Sequence, residues 1–163
     1  MQSIREQLTT LAEAQGFART AFLPVKDLVF VPEYRKYCAD NLCGNYDKLP
    51  NCPPKCGTVA EMQQRAEAYE TAFIMQTVCE VDFNDGKAIL AMKHRHNQMT
   101  SAVVAAMEAQ GVTGLVMSAG PTKESACMSA YCVDAAKMAE ACQMPYWLGE
   151  NKAAFFSQFL FNE

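Results

Sequence analysis

The chain has 163 residues, a formal net charge of −4 and a sequence pI of about 5.2. With no lysine- or arginine-rich run, nucleic acid and anionic membrane surfaces are poor partners for it. Length favours a single domain over residues 1–163, large enough to bury a core without disulfides, and its eight cysteines therefore call for another explanation.

At the N-terminus, Ser3-Ile4-Arg5-Glu6 has the form of a capping box, and Ile4, Leu8, Leu11 and Ala12 recur at helical spacing before Gly16. This predicts a packing helix. The first residues carry charge where a signal peptide would be apolar, and no apolar run approaches the roughly 20 residues that span a bilayer. The expectation is a soluble, cytoplasmic protein. From Phe17 to Val31 the residues favour β structure, interrupted by Pro24, and Leu28-Val29-Phe30-Val31 reads as a buried strand.

Four thiols then fall close together, at Cys38, Cys43, Cys52 and Cys56. Between them lie Asn41, Gly44, Asn45, Asp47, Pro50, Asn51, Pro53 and Pro54, residues that favour turns or exclude a helical interior. So polar a loop has little hydrophobic reason to stay ordered. Thiolates clustered around a metal would hold it.

Thr58-Val59-Ala60-Glu61 forms a second capping box directly after Cys56, opening a helix with Val59, Met62, Ala66 and Tyr69 on one face. The N–H groups and dipole of that helix start would favour negative charge in the cysteine loop. Thr71 to Phe83 reads as a central strand, and Cys79 within it as a small buried hydrophobe. After the turn Asn84-Asp85-Gly86 comes a long helix, from Lys87 to Gln110, with Ile89, Met92, Met99, Val103 and Met107 on its stripe. His96 falls on the same stripe. It is either a buried histidine satisfied by a hydrogen bond or a proton donor or outer-shell group to a metal.

A third strand, Val112 to Ala119, leads into a second group of thiols: Cys127, Cys132 and Cys142, with Pro145 shortly after. Val133 to Ala141 reads as a helix between the last two. The aromatic-rich tail from Lys152 reads as a helix packing Phe155, Phe156, Phe159 and Phe161 onto the body. The alternation of elements predicts an α/β or α+β domain: a sheet of three strands or slightly more, flanked by helices, carrying two cysteine-rich metal-binding loops. In a parallel sheet both loops would leave from carboxyl ends of strands and could meet.

In a reducing compartment, grouped cysteines point to metal or redox chemistry before structural disulfides. Cys52-x3-Cys56 and Cys38-x4-Cys43 could each serve as a zinc knuckle, while the wider spacing and the prolines after Cys52 suit an iron–sulfur cluster. Spacing alone leaves the two metals even. Signatures of nucleotide-binding loops, zinc proteases and serine hydrolases are missing.

Cys38-x4-Cys43-Gly44-x-Tyr46-x4-Asn51-Cys52-Pro53-Pro54, then Tyr69-x2-Ala72-x-Ile74-x-Gln76, then Gly111-x3-Leu115-x3-Ala119-Gly120-Pro121 ahead of three cysteines, resembles an uncharacterised prokaryotic cysteine-rich family of predicted metal-binding proteins. The resemblance covers about Leu28 to Pro145. It implies cysteine-ligated metal, such as an iron–sulfur cluster, in proteins common among anaerobes, and supplies no reaction. The sequence departs from that family in having Thr122 where a cysteine usually follows Gly-Pro, and in the extra Cys56.

Two arrangements follow. In one, Cys38, Cys43, Cys52 and Cys56 hold a 4Fe–4S cluster, while Cys127, Cys132 and Cys142 hold a second with an open iron for a small-molecule ligand. In the other, a single site is shared between the groups. Either would serve electron transfer, with a redox protein partner, or cluster-based redox or sulfur chemistry. The contrasting expectation is a structural zinc module.

Overall fold

The computed structural model describes residues 2–41 and 43–163. Helix α1 (Ile4–Gln15) starts at the expected capping box: Ser3 Oγ accepts from the Glu6 N–H and the Glu6 carboxylate accepts from the Ser3 N–H. Gly16 ends it in the left-handed region at φ 98°, which costs a residue without Cβ nothing. Strand β1 (Arg19–Pro24) follows, and Pro24 closes it.

The short helix α2 (Arg35–Ala39) carries Cys38. Helix α3 (Val59–Glu67) opens with the second capping box, between Thr58 and Glu61. Strand β2 (Thr71–Glu80) leads through the Asp85 cap into the long helix α4 (Gly86–Glu108). Strands β3 (Gly114–Ser118) and β4 (Ala126–Cys127), helix α5 (Ala135–Ala141) and strand β5 (Lys152–Phe161) complete the order.

The strands form one mixed sheet in the order β1-β2-β5-β3-β4, in which only β3 and β4 are parallel. The fold is therefore α+β. An expected parallel sheet with both loops at carboxyl ends is not what brings the cysteine segments together.

Two elements differ from expectation. The tail is the strand β5, threaded between β2 and β3, and not a helix. A strand covered on both faces shows no alternation, so its apolar run reads the same as a buried helix. Leu28 to Val31 is not a buried strand either: after a 3-10 turn at Val25–Asp27 it makes a single bridge, Phe30 to Val133. The β-favouring pattern of that region is realised earlier, in β1.

The pleat sends alternate residues to opposite faces. On one face Phe73, Met75, Phe159 and Phe161 pack with Leu8 and Ala12 of α1 and Val103 and Met107 of α4. On the other, Ala72, Ile74, Phe156 and Leu160 pack with Met62 and Ala66 of α3, Met138 of α5 and the segment around Tyr131. The cysteine segments sit on this second face. By the same parity Cys79 belongs to the first, with Phe73, Met75 and Thr77, and lines a small cavity there with His96.

Candidate metal centre

Three ties bring the two cysteine regions together, although they are far apart in the chain. The Val31 N–H donates to the Cys132 carbonyl at 2.8 Å and the Asp134 N–H to the Val29 carbonyl at 2.8 Å, around the Phe30–Val133 bridge. The Asn51 side-chain amide, adjacent to Cys52, donates to the carbonyls of Thr122 and Lys123 at 2.8 and 3.0 Å. Arg35 on α2 donates to the Gly57 carbonyl at 2.8 Å and to the Ala130 carbonyl at 2.9 Å. Gly57 follows Cys56, and Ala130 lies between Cys127 and Cys132.

The electrostatics of the thiols report the result. Burial pushes Cys38 up to about 11, and the charges of Cys127, Cys43 and Cys132 push the same way against the pull of Arg35. Burial likewise raises Cys52 to about 11, helped by Cys127, Cys43 and Cys56. Cys127 is raised by burial and by Cys43, while the backbone N–H groups of Ala130 and Ser129 and its own favour the thiolate. Cys38, Cys43, Cys52 and Cys127 thus act on one another across both segments, with Cys56 and Cys132 coupled to the same group.

Cys56 stands at its edge. Its Sγ is 3.4 Å from Met62 Sδ, and burial and the charge of Cys127 raise its pKa while Arg35 and Arg65 lower it. It also lines a polar groove of about 650 Å³ with Asn51, Arg65, Tyr131, Ser125 and Glu108. Cys132 is wholly buried, and its backbone lies in the left-handed region at φ 61°, a conformation a non-glycine residue adopts only where its surroundings impose it. Here the Val31 N–H holds its carbonyl. Burial raises its pKa, and Arg35 opposes.

The structure does not bring Cys142 into this group. It caps the C-terminal end of α5, and burial alone raises its pKa, with no other thiol contributing. All eight cysteines are free, and Cys43 is exposed. Among the described residues no three histidine, cysteine, aspartate or glutamate side chains lie close enough to hold one metal ion. Tetrahedral zinc at about 2.3 Å from each sulfur would need the sulfurs roughly 3.8 Å apart. The group as folded is more open than that.

His96 lies across the sheet from these cysteines and is 1% exposed. Thr100 Oγ donates to the His96 carbonyl at 3.0 Å and so accepts from Ser157 Oγ at 2.7 Å. Ser157 then accepts from Nε2–H at 2.9 Å, and Nδ1 accepts from Thr77 Oγ at 2.7 Å. Both ring nitrogens are satisfied, and burial pulls the pKa down to about 4. It is a neutral core histidine.

Sequence reasoning passed over Arg35 and Asn51, which join the cysteine segments. Asn51 sits beside Cys52 in the quoted motif, but nothing local marks Arg35.

An α+β sheet with thiols from two segments gathered on one face defines a cysteine-rich protein of metal-binding type. Residues 21–123, more than half of the chain, match the family of predicted metal-binding proteins DUF2284, and the chain belongs to that family. No curated protein and no solved structure matches it. Among the described residues no helix is long and apolar enough to cross a membrane.

Proposed function

We propose that the chain holds one 4Fe–4S cluster between its two cysteine segments, with Cys38, Cys43, Cys52 and Cys127 as ligands, and serves electron transfer or cluster-based redox or sulfur chemistry. What supports this reading is that the charges of these thiols act on one another across both segments, while no three of them lie close enough to hold a single ion among the described residues. A cluster, itself several ångströms across, tolerates that spread. The buried Arg35 Nε, which has no acceptor among the described residues, fits an anionic group in the same place.

Bound there, the cluster would supply one-electron chemistry. The protein's own part is to hold it: Asn51 pins the Cys52 loop to the Cys127 segment, and exposed Cys43 leaves the centre near the surface. A surface position suits exchange with a redox protein partner or a small ligand. Eight free thiols suit a reducing cytoplasm. The observed grouping supports the shared site over two separate clusters, because Cys127 leans toward the first segment and Cys142 stands apart.

The spacing Cys52-x3-Cys56 is that of a zinc knuckle and keeps a structural zinc module as the second reading. Iron and acid-labile sulfide analysis after anaerobic purification separates them. Four irons and four sulfides per chain are expected, lost in Cys127→Ser and kept in Cys142→Ser. Stoichiometric zinc without sulfide would replace the cluster reading with the zinc one.

A further inference from the structure

Arg35 is half-buried at the start of α2, one helical turn before Cys38. Its two Nη atoms donate to Gly57 and Ala130 carbonyls, and Nη2 also lies 3.0 Å from Met62 Sδ. These bonds leave Nε buried and without an acceptor. The only ion pair among the described residues joins Arg5 to Glu163, so no carboxylate there answers the Arg35 charge.

A guanidinium stays charged at any physiological pH, and a buried cation with an orphaned N–H costs free energy unless an anion joins it. The side chain is nevertheless locked in place by two carbonyls that flank cysteines. A structure that orders a cation so firmly, and surrounds it with thiols but no carboxylate, is built to receive negative charge from those thiols and what they bind.

On the reading that a cluster sits here, we propose that Arg35 is its counter-charge, a positioning residue that fixes the two cysteine segments around an anionic centre and raises that centre's reduction potential. The reasoning is electrostatic. Reduction adds one electron to an already negative group, and a fixed positive charge beside it stabilises the reduced form more than the oxidised one. Because Arg35 is tied to backbone carbonyls on both sides, the charge stays in place when the electron arrives.

The test is a mediated redox titration of the anaerobically reconstituted protein, followed by visible absorbance, alongside iron and sulfide counts for each variant. In Arg35→Gln the reduction equilibrium is expected to weaken about tenfold, which is 59 mV more negative for a one-electron couple. Arg35→Lys, which keeps the charge and loses the fork, is expected to stay closer to the wild type than to Arg35→Gln. A loaded Arg35→Gln protein with the wild-type potential would overturn the counter-charge role and leave the cluster reading intact. If Arg35→Gln fails to load, Arg35→Lys decides: loading near the wild-type potential supports the charge role, and failure to load refutes it in favour of the shape of the fork alone. A wild-type chain that takes up neither iron nor sulfide removes the cluster reading, and the role of Arg35 with it.

Discussion

Acidification should destabilise this protein in good part through His96. Its two ring nitrogens are closed off by Thr77 and Ser157, and burial holds its pKa near 4 against an ordinary 6.5. Unfolding exposes the imidazole, so between these two values the unfolded chain binds a proton that the native protein refuses. The contribution of neutral His96 is fully present above pH 6.5 and is lost as the pH falls toward 4. At 1.36 kcal/mol per unit, the depression of about 2.5 units amounts to about 3 kcal/mol at the acid limit, of which about 2 kcal/mol is already gone at pH 5.

Urea unfolding followed by circular dichroism at pH 7 and pH 5 measures the loss, and His96→Gln isolates it from the carboxylates, because the variant should lose about 2 kcal/mol less than the wild type between the two pH values. An NMR titration of the His96 ring protons checks the cause directly. A midpoint near 6 or above, or the same pH dependence in wild type and variant, would refute the argument from burial. The outcome bears on function as well: a neutral histidine sealed on the far face of the sheet is no proton donor to the cysteine group.

Other expectations follow from the same packing. Phe159 is wholly buried in the central strand, so Phe159→Ala should cost about 3–5 kcal/mol and lower the melting temperature by roughly 10 °C in a thermal scan. Asn51→Ala removes both bonds from the Cys52 loop to Thr122 and Lys123; it should speed metal loss to a chelator several-fold while costing only about 1–3 kcal/mol in urea unfolding. Equal chelation rates would show that those bonds do not hold the centre. Thr58→Ala breaks the cap of α3 directly after Cys56 and should cost about 1 kcal/mol by chemical denaturation.

The features legible in the sequence are those set by neighbouring residues. Both capping boxes form as Ser3-x-x-Glu6 and Thr58-x-x-Glu61 indicate, because a cap closes within one turn. The stripe of α4, including His96, comes from a period that a single helix imposes on itself. The grouping of thiols, and membership of a cysteine-rich metal-binding family, were likewise visible in local motifs.

Only the tertiary structure decided which contacts join distant stretches. Nothing within Lys152 to Phe161 distinguishes a buried helix from a buried strand; pairing with β2 along its length and with β3 over Gln158 to Phe161 does, by giving its backbone partners in the sheet. The pleat alone sends Cys79 away from the other thiols. The meeting of Cys38, Cys43 and Cys52 with Cys127 rests on bonds from Asn51, Arg35 and the Phe30–Val133 bridge, each spanning more than seventy residues of chain. Sequence chemistry determined that this protein carries grouped thiols and belongs to a family of predicted metal-binding proteins. Which thiols face one another follows from how the sheet and its ties close the chain, because a hydrogen bond between remote segments leaves no periodic trace in either.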